Sequence, residues 1–142
     1  MKHLHFDVET AGFYGAYWAC AGGSDCAVIA MIGDDPEDWL ARSAVKWLCG
    51  RGVNVLTMSP AKKDYGHHNY PLERVETAIS WLKANGNHKI GIAGASTTGT
   101  LALTAAAMFP DITLTIAMTP SDFVWQGFMQ GKKDGCKEWP VE

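Results

Sequence analysis

A serine set among small residues is the part of this chain best suited to chemistry. Residues 89–99 read K-I-G-I-A-G-A-S-T-T-G, in which a β-branched run predicts a strand and the residues after Ser96 predict a helix. Gly94 and Thr98 lie two positions to either side of Ser96, where bulky side chains would clash in a sharp turn. This small-x-Ser-x-small pattern is typical of a nucleophile elbow, a turn that exposes the serine hydroxyl. We therefore predict that Ser96 is a catalytic nucleophile.

The same residues allow other interpretations. A serine at this place can cap the following helix. Gly94 and Gly99 have the G-x-x-x-x-G spacing of a phosphate-binding loop, but Thr100 and Leu101 stand where that motif needs lysine and then serine or threonine. The glycines also fail to form the G-x-G-x-x-G fingerprint of a dinucleotide site. The elbow is the interpretation that accounts for the small residues around Ser96.

Strand and helix patterns alternate along the rest of the chain. The apolar run at 27–32 is typical of a strand covered on both faces. Three tryptophans at helical spacing are predicted to lie in the core or to pack on the sheet: Trp39, Trp47 and Trp81. Strands are predicted at 4–8, 14–20, 27–32, 53–58 and 112–118, and another runs through Ile90 and Ile92 toward Ser96. Helices are predicted at 39–48, from Pro71 to the stop at 85–87, and at 98–109. This order predicts a three-layer α/β sandwich with a mostly parallel sheet.

Three consecutive segments carry a family resemblance. They read P-L-E-R-V-E-T-A-I-S-W-L-K at 71–83, K-I-G-I-A-G-A-S at 89–96 and L-A-L-T-A-A-A-M-F-P at 101–110. In this order they resemble the C-terminal catalytic domain of acyl-CoA thioester hydrolases and bile acid-CoA:amino acid N-acyltransferases. The resemblance implies an α/β-hydrolase fold and acyl transfer from thioesters or related esters. It also implies that Ser96 takes the nucleophile position, which some members fill with cysteine.

Two features depart from the pattern of that family. Thr98 stands where the elbow usually has glycine, and a β-branched residue there predicts a crowded turn. α/β-Hydrolases supply their catalytic triad in the chain order serine, acid, histidine, yet the last histidine of this chain is His88. We therefore expect a single α/β-hydrolase domain over 1–142 that lacks its C-terminal strands and lid.

Two backbone donors are expected to form an oxyanion hole. The N–H of Thr97 is one, because the residue after the nucleophile generally supplies it. The second is expected at Gly33 or Asp34, in the loop after the strand at 27–32, although this loop can also be a plain strand-to-helix turn. Acidic residues in that loop would oppose a developing negative charge unless they point away.

Three further residues are candidates for the site. Asp122 follows the strand at 112–118 and is a candidate triad acid one strand early, although a turn or helix cap is the preferred interpretation. His67 and His68 follow the strand at 53–58, at the carboxyl edge where such sheets hold their ligands, and are expected to line the pocket. A role as general base would break the chain order of the family.

The composition argues against a nucleic-acid-binding protein and against a membrane-spanning one. The net charge is −3 with scattered lysine and arginine, which argues against nucleic acid, and no apolar run approaches the ~18 residues of a membrane span. The N-terminus shows no apolar signal segment. Four cysteines lack C-x-x-C spacing, which favours a reduced, cytoplasmic protein: Cys20, Cys26, Cys49 and Cys136. We expect no metal and no cofactor.

These observations converge on one expected function and one alternative. We expect a serine hydrolase of acyl esters or thioesters that works through an acyl-Ser96 intermediate and resembles acyl-CoA thioesterases. The alternative is a catalytically incomplete fragment or pseudo-enzyme that serves as a binding or dimerising module. Because a shortened sheet leaves an open edge strand, we also expect a homodimer or association with a missing C-terminal portion.

Overall fold

Six strands and four helices follow one another in the computed structural model, which describes residues 3–59 and 70–123. The strands are β1 (His3–Phe6), β2 (Gly15–Trp18), β3 (Cys26–Met31), β4 (Asn54–Met58), β5 (Lys89–Ala95) and β6 (Ile112–Met118). The helices are α1 (Val8–Ala11), α2 (Trp39–Cys49), α3 (Glu73–Ala84) and α4 (Thr97–Met108). No helix among these residues is long and apolar enough to span a membrane.

The strands form one sheet in the order β1-β2-β4-β3-β5-β6. β3 runs parallel to β4 and β5, and β5 runs parallel to β6, whereas β2 is antiparallel to both of its neighbours. Helices cover both faces of this sheet, with α2 on one and α3 and α4 on the other. The predicted three-layer α/β sandwich with a mostly parallel sheet is confirmed.

The central strands are buried on both faces because their side chains alternate between two cores. In β3, Ile29 and Met31 pack with α3 and α4, while Val28 and Ala30 pack with α2. Every residue of β4 is buried as well. The apolar run that predicted a doubly covered strand therefore lies where that pattern requires, in the middle of the sheet.

Two of the three tryptophans are exposed, so their predicted place in the core is wrong. The side chains of Trp39 and Trp47 are 73% and 54% exposed. Helix α2 buries the stripe formed by Ala41, Val45 and Leu48, and both tryptophans lie off that stripe. The Arg51 guanidinium lies 4.1 Å from the Trp47 ring centroid, which covers part of the ring.

The third tryptophan, Trp81, packs against the sheet, and a short helix follows β1. Trp81 of α3 is half-buried and packs edge-on against Phe6 and Tyr17, with ring centroids 4.8 and 4.9 Å away. The short helix α1 was not predicted and begins at Val8, where the sequence pattern predicted strand. Gly12 ends it with φ +78°, a conformation that glycine adopts at little cost.

Candidate active site at the carboxyl edge of the sheet

A single residue makes the turn between β5 and α4. β5 ends at Ala95 and α4 begins at Thr97, so Ser96 alone reverses the chain. Its backbone has φ 54° and ψ −120°, the conformation of the first central residue of a type II′ turn, which is costly for a side chain with a Cβ. Such strain is of the order of 1–3 kcal/mol and persists only where the surroundings impose it. The predicted strand–sharp turn–helix is present.

The surroundings hold the Ser96 backbone from two sides and leave its hydroxyl exposed. The Ser96 N–H donates to the Met118 carbonyl oxygen at 2.8 Å, and the Ser96 carbonyl oxygen accepts the Thr100 N–H at 3.1 Å. The side chain makes no capping hydrogen bond to α4, so the alternative of a helix-capping serine is disfavoured. Within residues 3–59 and 70–123 the hydroxyl has no hydrogen-bond partner.

The small residues near Ser96 are explained by close packing of the backbone. A Cβ at Gly94 would overlap the carbonyl oxygen of Thr98 in the first turn of α4. A Cβ at Gly99 would lie 3.0 Å from the Met118 carbonyl oxygen. Helix α4 thus starts in direct contact with the ends of β5 and β6, and this contact directs the serine outward.

Thr98 does not crowd the turn, contrary to the expectation from its β-branched side chain. It is 5% exposed, and its hydroxyl lies 2.6 Å from the Met31 carbonyl oxygen at the end of β3. The side chain therefore occupies a gap between two strand ends, where glycine would leave the polar groups without this partner.

The predicted oxyanion donor Thr97 lies at the start of the helix that follows the turn. It is the first residue of α4, and the first N–H groups of a helix have no acceptor inside the helix. Among the described residues the Thr97 N–H has no other acceptor. It therefore remains available to a ligand at the exposed Ser96 side chain.

The second donor is expected from the end of β3, which lies beside β5. Met31 pairs with Gly94, so the chain that leaves β3 emerges next to the elbow. Gly33 has φ +97°, and a Cβ there would overlap the Asp38 carboxylate. In the described part of the chain the Gly33 N–H has no acceptor, and it stays a candidate donor.

Asp34 does not supply a free donor, which corrects the expectation from the sequence. Its N–H donates to Asp38 Oδ2 at 2.8 Å. The same carboxylate accepts the Asp35 N–H at 3.2 Å and the Ala41 N–H at 2.8 Å, so Asp38 both caps α2 and shapes the loop before it. Sequence reasoning missed Asp38, although an aspartate directly before a helical pattern is a known capping signal.

Another acidic side chain of this loop, that of Asp35, also accepts hydrogen bonds. Asp35 accepts the Tyr14 hydroxyl at 3.3 Å through Oδ2 and the Glu37 N–H at 2.8 Å through Oδ1. These hydrogen bonds hold the carboxylate between the Tyr14 side chain and the backbone of its own loop. This arrangement reduces the conflict between acidic residues and an oxyanion site.

No described residue supplies a base for Ser96. Asp122 lies on the same edge of the sheet, four residues after β6, and is exposed without a hydrogen bond to Ser96. His67 and His68 lie outside the described residues. The described histidines lie away from the elbow. His3 and His5 are on the outer strand β1, and His88 precedes β5 at the amino end of that strand.

The chain is similar to solved structures of α/β-hydrolases, although it matches no known sequence family. No protein-family model and no curated protein sequence matches the chain. An esterase of Pyrococcus furiosus superposes with a TM-score of 0.63 at 22% identity, over 84% of this chain and 48% of that one. An α/β-hydrolase of Penicillium superposes with a TM-score of 0.67 at 23% identity, over 84% and 45%.

A third solved structure is a cold-adapted esterase from an Arctic intertidal metagenomic library. It has a TM-score of 0.61 at 21% identity, over 80% of this chain and 57% of that one. The chain thus spans about half the length of the solved proteins it resembles. The fold is that of the α/β-hydrolases.

Proposed function

We propose that this chain carries the nucleophile of a serine hydrolase that cleaves acyl esters through an acyl-Ser96 intermediate. The observation that carries the proposal is the conformation of Ser96, which is strained, exposed and fixed at φ 54° between β5 and α4. A nucleophile elbow needs a strained turn of this kind to present the serine hydroxyl. The esterases among the similar structures support the same reaction class.

The proposed reaction has two stages. Ser96 Oγ forms a bond to the acyl carbon, and the carbonyl oxygen takes up negative charge that the N–H groups of Thr97 and Gly33 stabilise. The bond to the alcohol or thiol then breaks, and the serine proton passes through a base to this leaving group. Water cleaves the acyl–Oγ ester in the second stage and releases the acid.

Supporting roles are proposed for residues away from the elbow. We propose Asp122 as the triad acid because it leaves the neighbouring strand β6 at the same edge as Ser96. His67 and His68 are proposed to line the pocket, because they follow β4, whose carboxyl end lies at that edge. We also propose a cytoplasmic location, on the ground that the cysteine spacing is not that of a disulfide framework.

The substrate class is tested by comparing an oxygen ester with a thioester. The resemblance of 71–121 to acyl-CoA thioester hydrolases supports acyl-CoA as the substrate. We expect the folded protein to hydrolyse both p-nitrophenyl butyrate and butyryl-CoA, measured as release of nitrophenol and of free thiol. Turnover of the ester alone would refute the thioester assignment, and turnover of neither would refute the hydrolase.

A noncatalytic binding module is the second candidate function. It is favoured by one observation: none of the described histidines contacts Ser96. A serine without an adjacent base is a weak nucleophile. A folded protein that binds butyryl-CoA without turnover would support this candidate.

We further propose that two copies of the chain associate through strand β6. Within the described residues β6 has a strand partner on one side only, and a second copy of β6 fits along its other edge. Leu114, Ile116 and Met118 are 56%, 38% and 44% exposed, and β6 contains no charged residue. Antiparallel pairing of two β6 strands about Thr115 would place Leu114 opposite Ile116 and bring no like charges together.

Light scattering tests this association. We expect the wild-type protein to have twice the monomer mass and the variant Leu114→Lys/Ile116→Lys to be monomeric, because it places charges at the pairing edge. Leu103→Lys is the matched control, since Leu103 is 44% exposed but lies on α4. A wild-type monomer would count against the proposal.

A further inference from the structure

The hydrogen-bond ladder between β3 and β5 ends just before the elbow. The two strands pair from Cys26 and Lys89 to Met31 and Gly94, and they separate at the next residue. The Thr98 hydroxyl fills the place where they separate. Its Oγ1 lies 2.6 Å from the Met31 carbonyl oxygen and accepts the Ala95 N–H at 3.0 Å.

This hydroxyl acts as one more rung of the ladder. It accepts one hydrogen bond from Ala95 on β5 and donates its single proton to Met31 on β3. The Ala95 carbonyl oxygen is also within reach, at 2.9 Å, but the shorter distance to Met31 favours that acceptor. Because Thr98 is 5% exposed, water has little access to take over these bonds.

Both proposed oxyanion donors lie within two residues of the groups that this hydroxyl joins. Gly33 follows Met31 after one intervening residue, and Thr97 directly precedes Thr98. The Thr98 hydroxyl therefore links the end of β3 to the elbow, beyond the last paired residues of β3 and β5. These are the two chain segments that carry the proposed donors. A donor pair stabilises an oxyanion only if both N–H groups converge on one oxygen.

We propose that Thr98 is a positioning residue whose hydroxyl fixes the spacing between the Gly33 and Thr97 N–H groups. The inference rests on the proposed serine hydrolase and assigns a role to the residue that replaces the usual glycine of the elbow. Thr98 touches no substrate in this account. It acts by holding the end of β3 against the elbow.

The test compares Thr98→Val, which keeps the shape of the side chain, with Thr98→Ser, which keeps the hydroxyl. The readouts are kcat and KM for p-nitrophenyl butyrate and the rate constant for labelling by a fluorophosphonate. In the labelling step an Oγ–P bond forms, the P–F and Oγ–H bonds break, and fluoride and a proton are released. We expect Thr98→Val to lower kcat and the labelling rate about tenfold to hundredfold with little change in KM, because small displacements of catalytic groups have effects of that size. Thr98→Ser is expected to stay within about twofold of wild type, since it restores the bonds.

Thr104→Val is the matched control for a merely structural effect. Its hydroxyl donates to the Thr100 carbonyl oxygen at 2.9 Å in the same helix, away from the elbow. We expect this variant to fold and to keep the wild-type labelling rate. If Thr98→Val does not fold, Thr98→Ala takes its place, because its smaller side chain adds no steric demand.

Two results would overturn the proposal. One is a folded Thr98→Val or Thr98→Ala protein that is labelled at the wild-type rate. The other is a crystal structure of either variant in which the Gly33 and Thr97 nitrogens keep their wild-type separation, a readout that needs no activity. A folded wild-type protein without labelling or turnover would instead refute the hydrolase, and the crystal structures would then decide the role of Thr98.

Discussion

Replacing Ser96 with alanine is expected to lower kcat/KM for p-nitrophenyl butyrate by at least about 10³-fold, because the loss of a serine nucleophile removes the covalent route. The fold should not change. The Ser96 hydroxyl makes no hydrogen bond among the described residues, and alanine meets the same backbone strain as serine. Initial rates of nitrophenol release measure the activity, and circular dichroism with urea unfolding measures the fold.

Ser43→Ala is the control for this experiment. Ser43 lies on α2, where its hydroxyl donates to the Trp39 carbonyl oxygen at 2.7 Å, far from the elbow. It should keep the wild-type rate. A Ser96→Ala protein whose turnover stays within tenfold of wild type would show that another group performs the reaction.

Replacing Gly94 with alanine is expected to lower the free energy of unfolding by about 3 kcal/mol or more, toward the upper end of overpacking costs. The added Cβ would overlap the Thr98 carbonyl oxygen, which belongs to the backbone and cannot rotate away. Relief requires α4 to move from β5, and that movement would break the bond from the Ser96 N–H to Met118. Urea unfolding followed by circular dichroism measures the loss.

Gly22→Ala provides the matched glycine control. Gly22 has no positive φ, and a Cβ there would meet nothing within 4 Å. We expect its stability to stay within about 0.5 kcal/mol of wild type, as for surface substitutions in general. If Gly94→Ala is as stable as Gly22→Ala, the close contact between α4 and β5 is refuted.

The features that sequence predicted well are those encoded by neighbouring residues. β6 occupies residues 112–118 as predicted, and the turn at Ser96 follows from the glycine and small residues around it. The doubly buried β3 follows from its uninterrupted apolar run. In each case a short stretch contains its own signal.

The features that sequence missed depend on distant parts of the chain. The exposure of Trp39 and Trp47 depends on which side of α2 meets the sheet, and periodicity alone gave the wrong side. Thr98 and Met31 are 67 positions apart in the sequence, so no local pattern predicts the contact between them. The occupied N–H of Asp34 depends on the rotamer of Asp38, which is likewise invisible in the sequence.

The covalent labelling of one residue tests the central claim most directly. The folded protein is treated with an excess of fluorophosphonate, and the adduct is counted by intact mass and located by peptide mapping. We expect one adduct per chain on Ser96 and none on the Ser96→Ala protein. An adduct on a different residue, or a folded protein that stays unlabelled, would contradict this expectation.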